Sequence, residues 1–181
     1  MVIIAGLGNP GDKYKNTRHN IGWLALDFYL GEVKWTENKR FKALTYQKGD
    51  YLFVKPLTYM NLSGESLRAI LSYYKLLPKS FGLINKKDAD LSEVLKVIHD
   101  DVDLDFGRVK EAKDSGSAGH NGLKSIIKEL KTQKFSRLKL GVKNELLKNP
   151  IPTEKFVLQN FNEEEKLKLK EIFSQMNLEI L

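Results

Sequence analysis

The chain has 181 residues, a formal net charge of +7 at neutral pH and no cysteine. This length is sufficient for one domain with its own hydrophobic core, so we expect a single domain over residues 1–181. The lack of cysteine excludes disulfides, thiolate nucleophiles and cysteine-ligated zinc, and the lack of any apolar run near ~20 residues excludes a membrane-spanning helix. We therefore expect a soluble cytoplasmic protein.

An apolar run over residues 2–5 predicts a first β-strand, and a glycine-rich loop follows it. The glycine spacing over 6–11 fits a dinucleotide-binding turn, but Pro10 and the absence of a helix signal argue against such a site. The sequence Asn9-Pro10-Gly11 predicts a type II turn that would hold the Asn9 amide in place. An ordinary turn between a strand and a helix is the alternative interpretation.

The rest of the chain alternates between helical and strand patterns. The pattern predicts a helix over 21–30, a hairpin of 41–46 with 51–54, a helix from Ser63, strands at 94–98 and near Val109, a helix over 121–130 and a strand over 138–142. We expect one α/β domain in which a mixed, twisted β-sheet is flanked by helices. A C-terminal amphipathic helix around 169–176 should pack on this domain, and residues 85–92 should form a surface loop.

Positive charge is concentrated in one window of the chain. Residues 108–148 contain eleven basic and four acidic side chains, whereas the remainder of the chain is balanced. This distribution indicates one basic face that suits phosphates, although a solvated lysine-rich surface would give the same pattern.

Candidate chemistry centres on one of only three histidines. The three do not have the spacing of metal ligands, and no serine lies in a nucleophile-elbow pattern, so a water nucleophile is the simplest choice. His19 can take a proton from water near neutral pH. Asp100 follows the predicted strand at 94–98, and it would reach the same sheet edge as His19 if that strand is parallel to the first.

Three asparagines, Asn9, Asn61 and Asn121, lie in predicted loops, where their amides could hold a carbonyl, a water and an oxyanion. Each candidate also has a structural interpretation. A histidine in a turn is often structural, Tyr59 and Met60 could be core residues, and the aspartates over 100–105 could be a solvated strand end.

Several segments together resemble the bacterial-type peptidyl-tRNA hydrolases, and they occur in the family's order across most of the chain. They are GLGNPG (6–11) with Tyr14 and TRHNIG (17–22), KPLTYMNLSG (55–64), HDDVDL (99–104), GHNGLKSI (119–126) and FSRLKLG (135–141). The resemblance implies a monomeric α/β enzyme that hydrolyses the ester joining a peptide to the 3′ end of tRNA, with no metal and no organic cofactor.

The resemblance also implies a role for each matching residue. His19 would be the general base, oriented by Asp100, and Asn9 would bond the substrate near the scissile ester. The remaining positions would line the substrate site (Tyr14, Tyr59, Met60, Asn61, Asn121) or hold phosphates of the acceptor stem (Lys110, Arg137).

The chain departs from the family pattern at four places. The run Gly116–Gly119 lacks one glycine, and Ala112 occupies a position where a second phosphate-binding base is common. Residues 142–144 are Val-Lys-Asn where the family often has an Arg-Pro pair after Gly141, and the polar segment 83–92 is longer than expected. The resemblance allows two alternative functions on the same scaffold. One is a non-catalytic RNA-binding member of the fold, against which the filled catalytic-type positions argue, and the other is an esterase or amidase for small molecules.

Overall fold

The structure is a computed structural model that describes residues 1–80, 84–85, 87–148 and 151–176. Within these residues, seven strands form one mixed sheet in the order β2-β3-β4-β1-β7-β9-β8, and two short strands form a separate pair. The strands are β1 (Val2–Gly6), β2 (Thr36–Asn38), β3 (Ala43–Lys48), β4 (Tyr51–Pro56), β5 (Lys79–Ser80), β6 (Ile84–Asn85), β7 (Leu95–Asp105), β8 (Val109–Ala112) and β9 (Ser136–Lys143). The helices are α1 (Ile21–Leu30), α2 (Ser63–Tyr73), α3 (Asn121–Leu130), α4 (Thr153–Val157) and α5 (Glu163–Ser174).

The centre of the sheet is parallel. Strand β1 runs parallel to both β4 and β7, and Gly6 at the end of β1 is in register with Ile98 of β7. The chain therefore leaves β1 at the same edge of the sheet at which residues 99–101 of β7 lie. The parallel pairing on which the expected meeting of His19 and Asp100 depends is therefore present, and it places the loop that carries His19 next to Asp100.

Helices cover both faces of the sheet. One core contains Leu67, Ile70 and Leu71 of α2 together with Leu123 and Ile126 of α3. The other core contains residues of α1, α4 and α5. Burial of these apolar side chains is the main force that attaches the helices to the sheet.

Helix α1 packs unusually close to β1 because glycine occupies both sides of the contact. A Cβ atom on Gly6 would lie 2.4 Å from the carbonyl oxygen of Gly22. This approach brings the start of α1, and His19 just before it, over the end of β1.

Most predicted elements agree with the structure. The bounds of α1 and α3 are those predicted, and α5 buries Leu169 and Phe173 in the core, as expected of an amphipathic helix that packs on the domain. Strand β7 is longer than predicted, because it continues past Ile98 to Asp105. The short elements β2 and α4 were not predicted, since three polar residues and five mixed residues give no clear periodicity.

Two local predictions need correction. Gly11 has the predicted positive φ of 102°, but its ψ of 148° extends the chain instead of closing a type II turn. The predicted surface loop at 85–92, whose residue 86 lies outside the described residues, buries Ala89 and Leu91, and the Thr132 hydroxyl donates to the Ala89 carbonyl at 2.8 Å. Across the described part of the chain, no helix has the length and apolar character that crossing a membrane requires.

Candidate active site

His19 and Asp100, which are 81 positions apart, meet at the sheet edge where β1 ends. The His19 Nδ1 atom lies 2.8 Å from Asp100 Oδ1, and both side chains are buried. His19 belongs to a single turn of 3-10 helix, Arg18–Asn20, and Asp100 belongs to β7. Because Nδ1 is occupied by the aspartate, Nε2 is the ring nitrogen of His19 that is left to accept a proton.

His120 completes this cluster, and its own contacts define its tautomer. Its Nδ1 accepts hydrogen bonds from the backbone N–H groups of Gly122 and Leu123, so this atom carries no proton. Its Nε2 lies 3.0 Å from Asp100 Oδ1 and therefore donates to it. His120 thus caps the N-terminus of α3 and anchors the aspartate at the same time.

Burial and charge act in opposite directions on this cluster. Burial favours the uncharged form of His19, but the charge and the hydrogen bond of Asp100 outweigh it, so the pKa of His19 is raised. For Asp100, burial by itself would raise the pKa, because it too favours the uncharged form. The neighbouring His19 and His120 nevertheless hold the pKa of Asp100 well below its ordinary value. Burial lowers the pKa of the adjacent His99 to about 3, so this third histidine is uncharged near neutral pH. The cluster therefore pairs an ionised carboxylate with a strengthened base.

Asn9 is held so that only one end of its amide is available. Its Oδ1 accepts the backbone N–H of Met60 at 2.8 Å. Its backbone is fixed by the Asn20 amide, which accepts from the Asn9 N–H at 2.9 Å and donates to the Asn9 carbonyl at 3.0 Å. Because the oxygen is already bonded, Asn9 offers its Nδ2 hydrogens to a ligand.

The other expected substrate residues lie around this cluster with different degrees of exposure. Met60 is buried, and its sulfur is so close to α3 that a Cβ on Gly122 would lie 2.5 Å from it. Asn61 and Asn121 are exposed, at a 3-10 turn and at the first residue of α3 respectively. The rings of Tyr14 and Tyr59 meet edge to face, with centroids 6.5 Å apart, and Tyr59 is 57% exposed.

The two expected phosphate contacts differ sharply. Lys110 of β8 is exposed, as a phosphate contact requires. Arg137 of β9 is only 2% exposed, and its guanidinium donates to the Gly116 carbonyl at 2.7 Å and to the Ser115 carbonyl. The structure therefore gives Arg137 a contact with the 115–116 loop, which the charge of the residue did not indicate, and its expected contact with a tRNA phosphate stays a prediction.

Two residues that contact the site have no role that the sequence pattern assigns. His120 belongs to the GHNGLKSI motif, and its position just before a predicted helix is the only signal that it could be an N-cap residue. Asn20 was likewise not assigned a role, and no local pattern indicates its two bonds to Asn9.

Within the described residues, His19, Asp100 and His120 are also the group that could hold a metal ion, because their ligand atoms lie within 4.8 Å of one another. Their present geometry is that of a hydrogen-bonded network, since both imidazoles direct a ring nitrogen at the same carboxylate oxygen.

Comparisons with known proteins identify the family. The profile of the peptidyl-tRNA hydrolase family matches residues 3–180. The peptidyl-tRNA hydrolase of Mycoplasma capricolum is 41% identical over 179 residues, which cover 96% of this chain and 88% of that protein. That of Bacillus subtilis is 40% identical over 178 residues, which cover 94% and 85%.

Solved structures agree with the sequence comparisons. The crystal structure of the peptidyl-tRNA hydrolase from Acinetobacter baumannii superposes with a TM-score of 0.77 at 25% identity, and the match covers 96% of this chain and 83% of that one. Because the family profile spans nearly the whole chain and the relatives are well above 30% identical, the chain belongs to the peptidyl-tRNA hydrolase family.

Proposed function

We propose that this protein hydrolyses the ester bond between the peptide and the tRNA in peptidyl-tRNA, with His19 activating the attacking water. Family membership supports the reaction, and the 2.8 Å contact between His19 Nδ1 and Asp100 is the observation that carries the mechanism. That contact commits Nδ1 and leaves the Nε2 lone pair for the proton of a water molecule.

The reaction moves one proton from water to His19 and places a negative charge on the ester carbonyl oxygen. As the water oxygen attacks the ester carbonyl carbon, His19 Nε2 takes one of its protons, and the ionised Asp100 stabilises the imidazolium that forms. The carbonyl oxygen becomes an oxyanion, to which the Asn9 Nδ2 hydrogens are suited because Asn9 Oδ1 is already occupied. Collapse of the intermediate breaks the bond to the 3′ oxygen of the tRNA, and the imidazolium returns its proton to that oxygen.

The exposed groups around the cluster suit the rest of the substrate. We assign Asn61 and Asn121 to positioning the substrate and the water, since both residues are exposed and directly follow Met60 and His120 in the chain. Tyr14 and Tyr59 offer aromatic surface on which the bases at the 3′ end of tRNA can stack. Lys110 is suited to a phosphate of the acceptor stem. We further propose that the protein acts as a cytoplasmic monomer and requires no cofactor.

Replacement of His19 by alanine tests the mechanism. Loss of the base should lower kcat for peptidyl-tRNA by about 10²–10⁴-fold, the usual contribution of general base catalysis. The affinity for tRNA serves as the control and should change little, because the exposed Lys110 is unaltered. Both proteins are assayed well below their thermal unfolding midpoints, because the buried Asp100 loses one of its partners in the variant. Retention of kcat in the His19→Ala variant would eliminate the assignment.

A hydrolysis assay combined with a tRNA-binding assay separates this proposal from its alternatives. A wild-type protein that binds tRNA but does not cleave peptidyl-tRNA would be a non-catalytic RNA-binding member of the fold. Rapid cleavage of a simple ester, with no advantage from the tRNA, would indicate a small-molecule esterase.

A further inference from the structure

Arg18, the residue before His19, is one of the most deeply buried side chains of the protein. It is 1% exposed, and its guanidinium carbon lies over the rings of Phe156 and Phe161, at 4.8 and 5.2 Å from their centroids. Burying a charged group is costly unless it is paired and hydrogen-bonded, so its partners should be specific.

The partner of Arg18 is Glu165 in the first turn of α5. One guanidinium nitrogen, Nη2, donates to both carboxylate oxygens, at 2.8 and 3.0 Å, over a separation of 147 positions. The same carboxylate accepts from the Asn144 amide at 2.7 Å and from the Asn162 backbone N–H at 2.9 Å. Glu165 therefore has bonds on both oxygens and is fixed in place.

The backbone around Arg18 is attached to the segment that leads into α5. The Arg18 N–H donates to the Gln159 carbonyl at 3.0 Å, and the Phe161 N–H donates to the Asn16 carbonyl at 2.9 Å. Arg18 Nη1 adds bonds to the carbonyls of Gln159 and Asn160. Residues 16–18, directly before His19, are thus bonded to residues 159–161, and Asp100 takes no part in these contacts.

We propose that Arg18 and Glu165 are positioning residues, which hold the turn carrying His19 so that its imidazole stays aligned with Asp100. This inference rests on the proposed role of His19 as the base. Neither residue touches the substrate; both act through the backbone of residues 16–18.

The buried ion pair between Arg18 and Glu165 is better explained by a role in positioning His19 than by a contribution to the stability of the fold. A buried ion pair often stabilises a protein no better than apolar residues of similar volume, because its desolvation offsets its attraction. Hydrogen bonds from a guanidinium to a carboxylate and two carbonyls, however, fix the orientation of these groups and the distances between them, which apolar contacts do not. Small displacements of a catalytic group lower its rate steeply.

The first test is Glu165→Gln, with Glu163→Gln as the matched control. Both changes neutralise a carboxylate in the first turn of α5, but Glu163 is exposed and forms an ion pair with Lys166, three residues further along the helix. We expect Glu165→Gln to lower kcat about 10- to 100-fold and to leave KM within about twofold. Glu163→Gln should retain both constants. Parental kcat in Glu165→Gln, or an equal loss in Glu163→Gln, would overturn the proposal.

The second test separates positioning from stability. The double variant Arg18→Met with Glu165→Met leaves no lone buried charge, and it should unfold near the parental midpoint. We expect its kcat to remain reduced when it is assayed well below that midpoint. Recovery of parental kcat would overturn the proposal, and so would failure of both the single and the double variant to fold, because the pair would then serve stability alone.

His19→Ala, measured in the same assay, distinguishes the two proposals. If that variant keeps full activity, the role of His19 is wrong whatever the Arg18 and Glu165 variants do. If only the Glu165 and double variants keep full activity, the positioning role alone is wrong.

Discussion

At the scale of single residues, Asp100 governs the electrostatics of the site. One of its oxygens accepts from two imidazoles, at 2.8 Å from His19 and 3.0 Å from His120. The His120 ring is also held at its other nitrogen, Nδ1, which accepts backbone N–H groups in the first turn of α3. The carboxylate is therefore kept ionised and correctly placed before any substrate arrives, which is the preorganisation that catalysis requires.

Activity should depend on pH through His19. The base must be unprotonated, and its pKa is raised above 6.5, so kcat/KM should increase with pH along a limb whose midpoint lies above 6.5. In Asp100→Asn the raising charge is gone while burial still lowers the pKa, so the midpoint should move to lower pH. The plateau should fall by about 10²–10⁴-fold, because the imidazolium loses its partner.

A kcat/KM profile from about pH 5 to pH 9 tests this prediction over the range in which histidine titrates. His99 cannot produce such a limb, because its pKa of about 3 lies far below it. An unchanged midpoint in Asp100→Asn would show that another group controls the rate.

At the scale of elements, the packing of α2 against α3 is close, and α3 is the helix that His120 caps. Gly64 in the first turn of α2 lies against the backbone of Ser125, where a Cβ would come within 2.3 Å of the Ser125 carbonyl oxygen. The Ser125 hydroxyl also accepts the Gly64 N–H at 3.0 Å. Since α3 begins with His120 as its cap, we expect this contact to influence how close His120 comes to Asp100.

Gly64→Ala should therefore force the two helices apart. We expect a loss of about 1–3 kcal/mol in the free energy of unfolding, the usual cost of overpacking a rigid contact, together with reduced kcat. Denaturant unfolding and steady-state kinetics provide the two measurements.

Gly116→Ala is the control, because a Cβ there would meet nothing within 4 Å. Equal stability of the Gly64 and Gly116 variants would mean that α2 and α3 are not held together by this approach.

At the scale of the whole molecule, the two edge strands of the sheet stand at opposite ends of its strand order. Strand β8 carries the exposed Lys110 at one edge, and β2 lies at the other, preceded by the exposed Lys34. Strand β8 belongs to the basic window 108–148, whose excess of positive charge favours the approach of a polyanion. The same window contains Arg137, whose guanidinium is buried against the 115–116 loop.

Charge reversal at these two edges tests the location of the tRNA. Lys110→Glu should weaken tRNA binding and reduce the slope of log affinity against log salt by about one, as the loss of one phosphate contact predicts. Lys34→Glu produces the same change in net charge at the opposite edge and should alter neither quantity much. Equal effects from both variants would indicate attraction by net charge alone and would contradict a localised tRNA surface.

The amino-acid sequence by itself determined the α/β class, most element positions, the family and the residues around which the site is built. These features depend on local periodicity, on turn residues and on motifs that are contiguous in the chain. Only the tertiary structure decided that Arg137 is buried, that Asn9 presents its N–H end, and that His120, Asn20 and Arg18 support the site. Those properties depend on contacts between residues far apart in the chain, such as the 147 positions between Arg18 and Glu165, and no local pattern specifies which distant groups share a buried space.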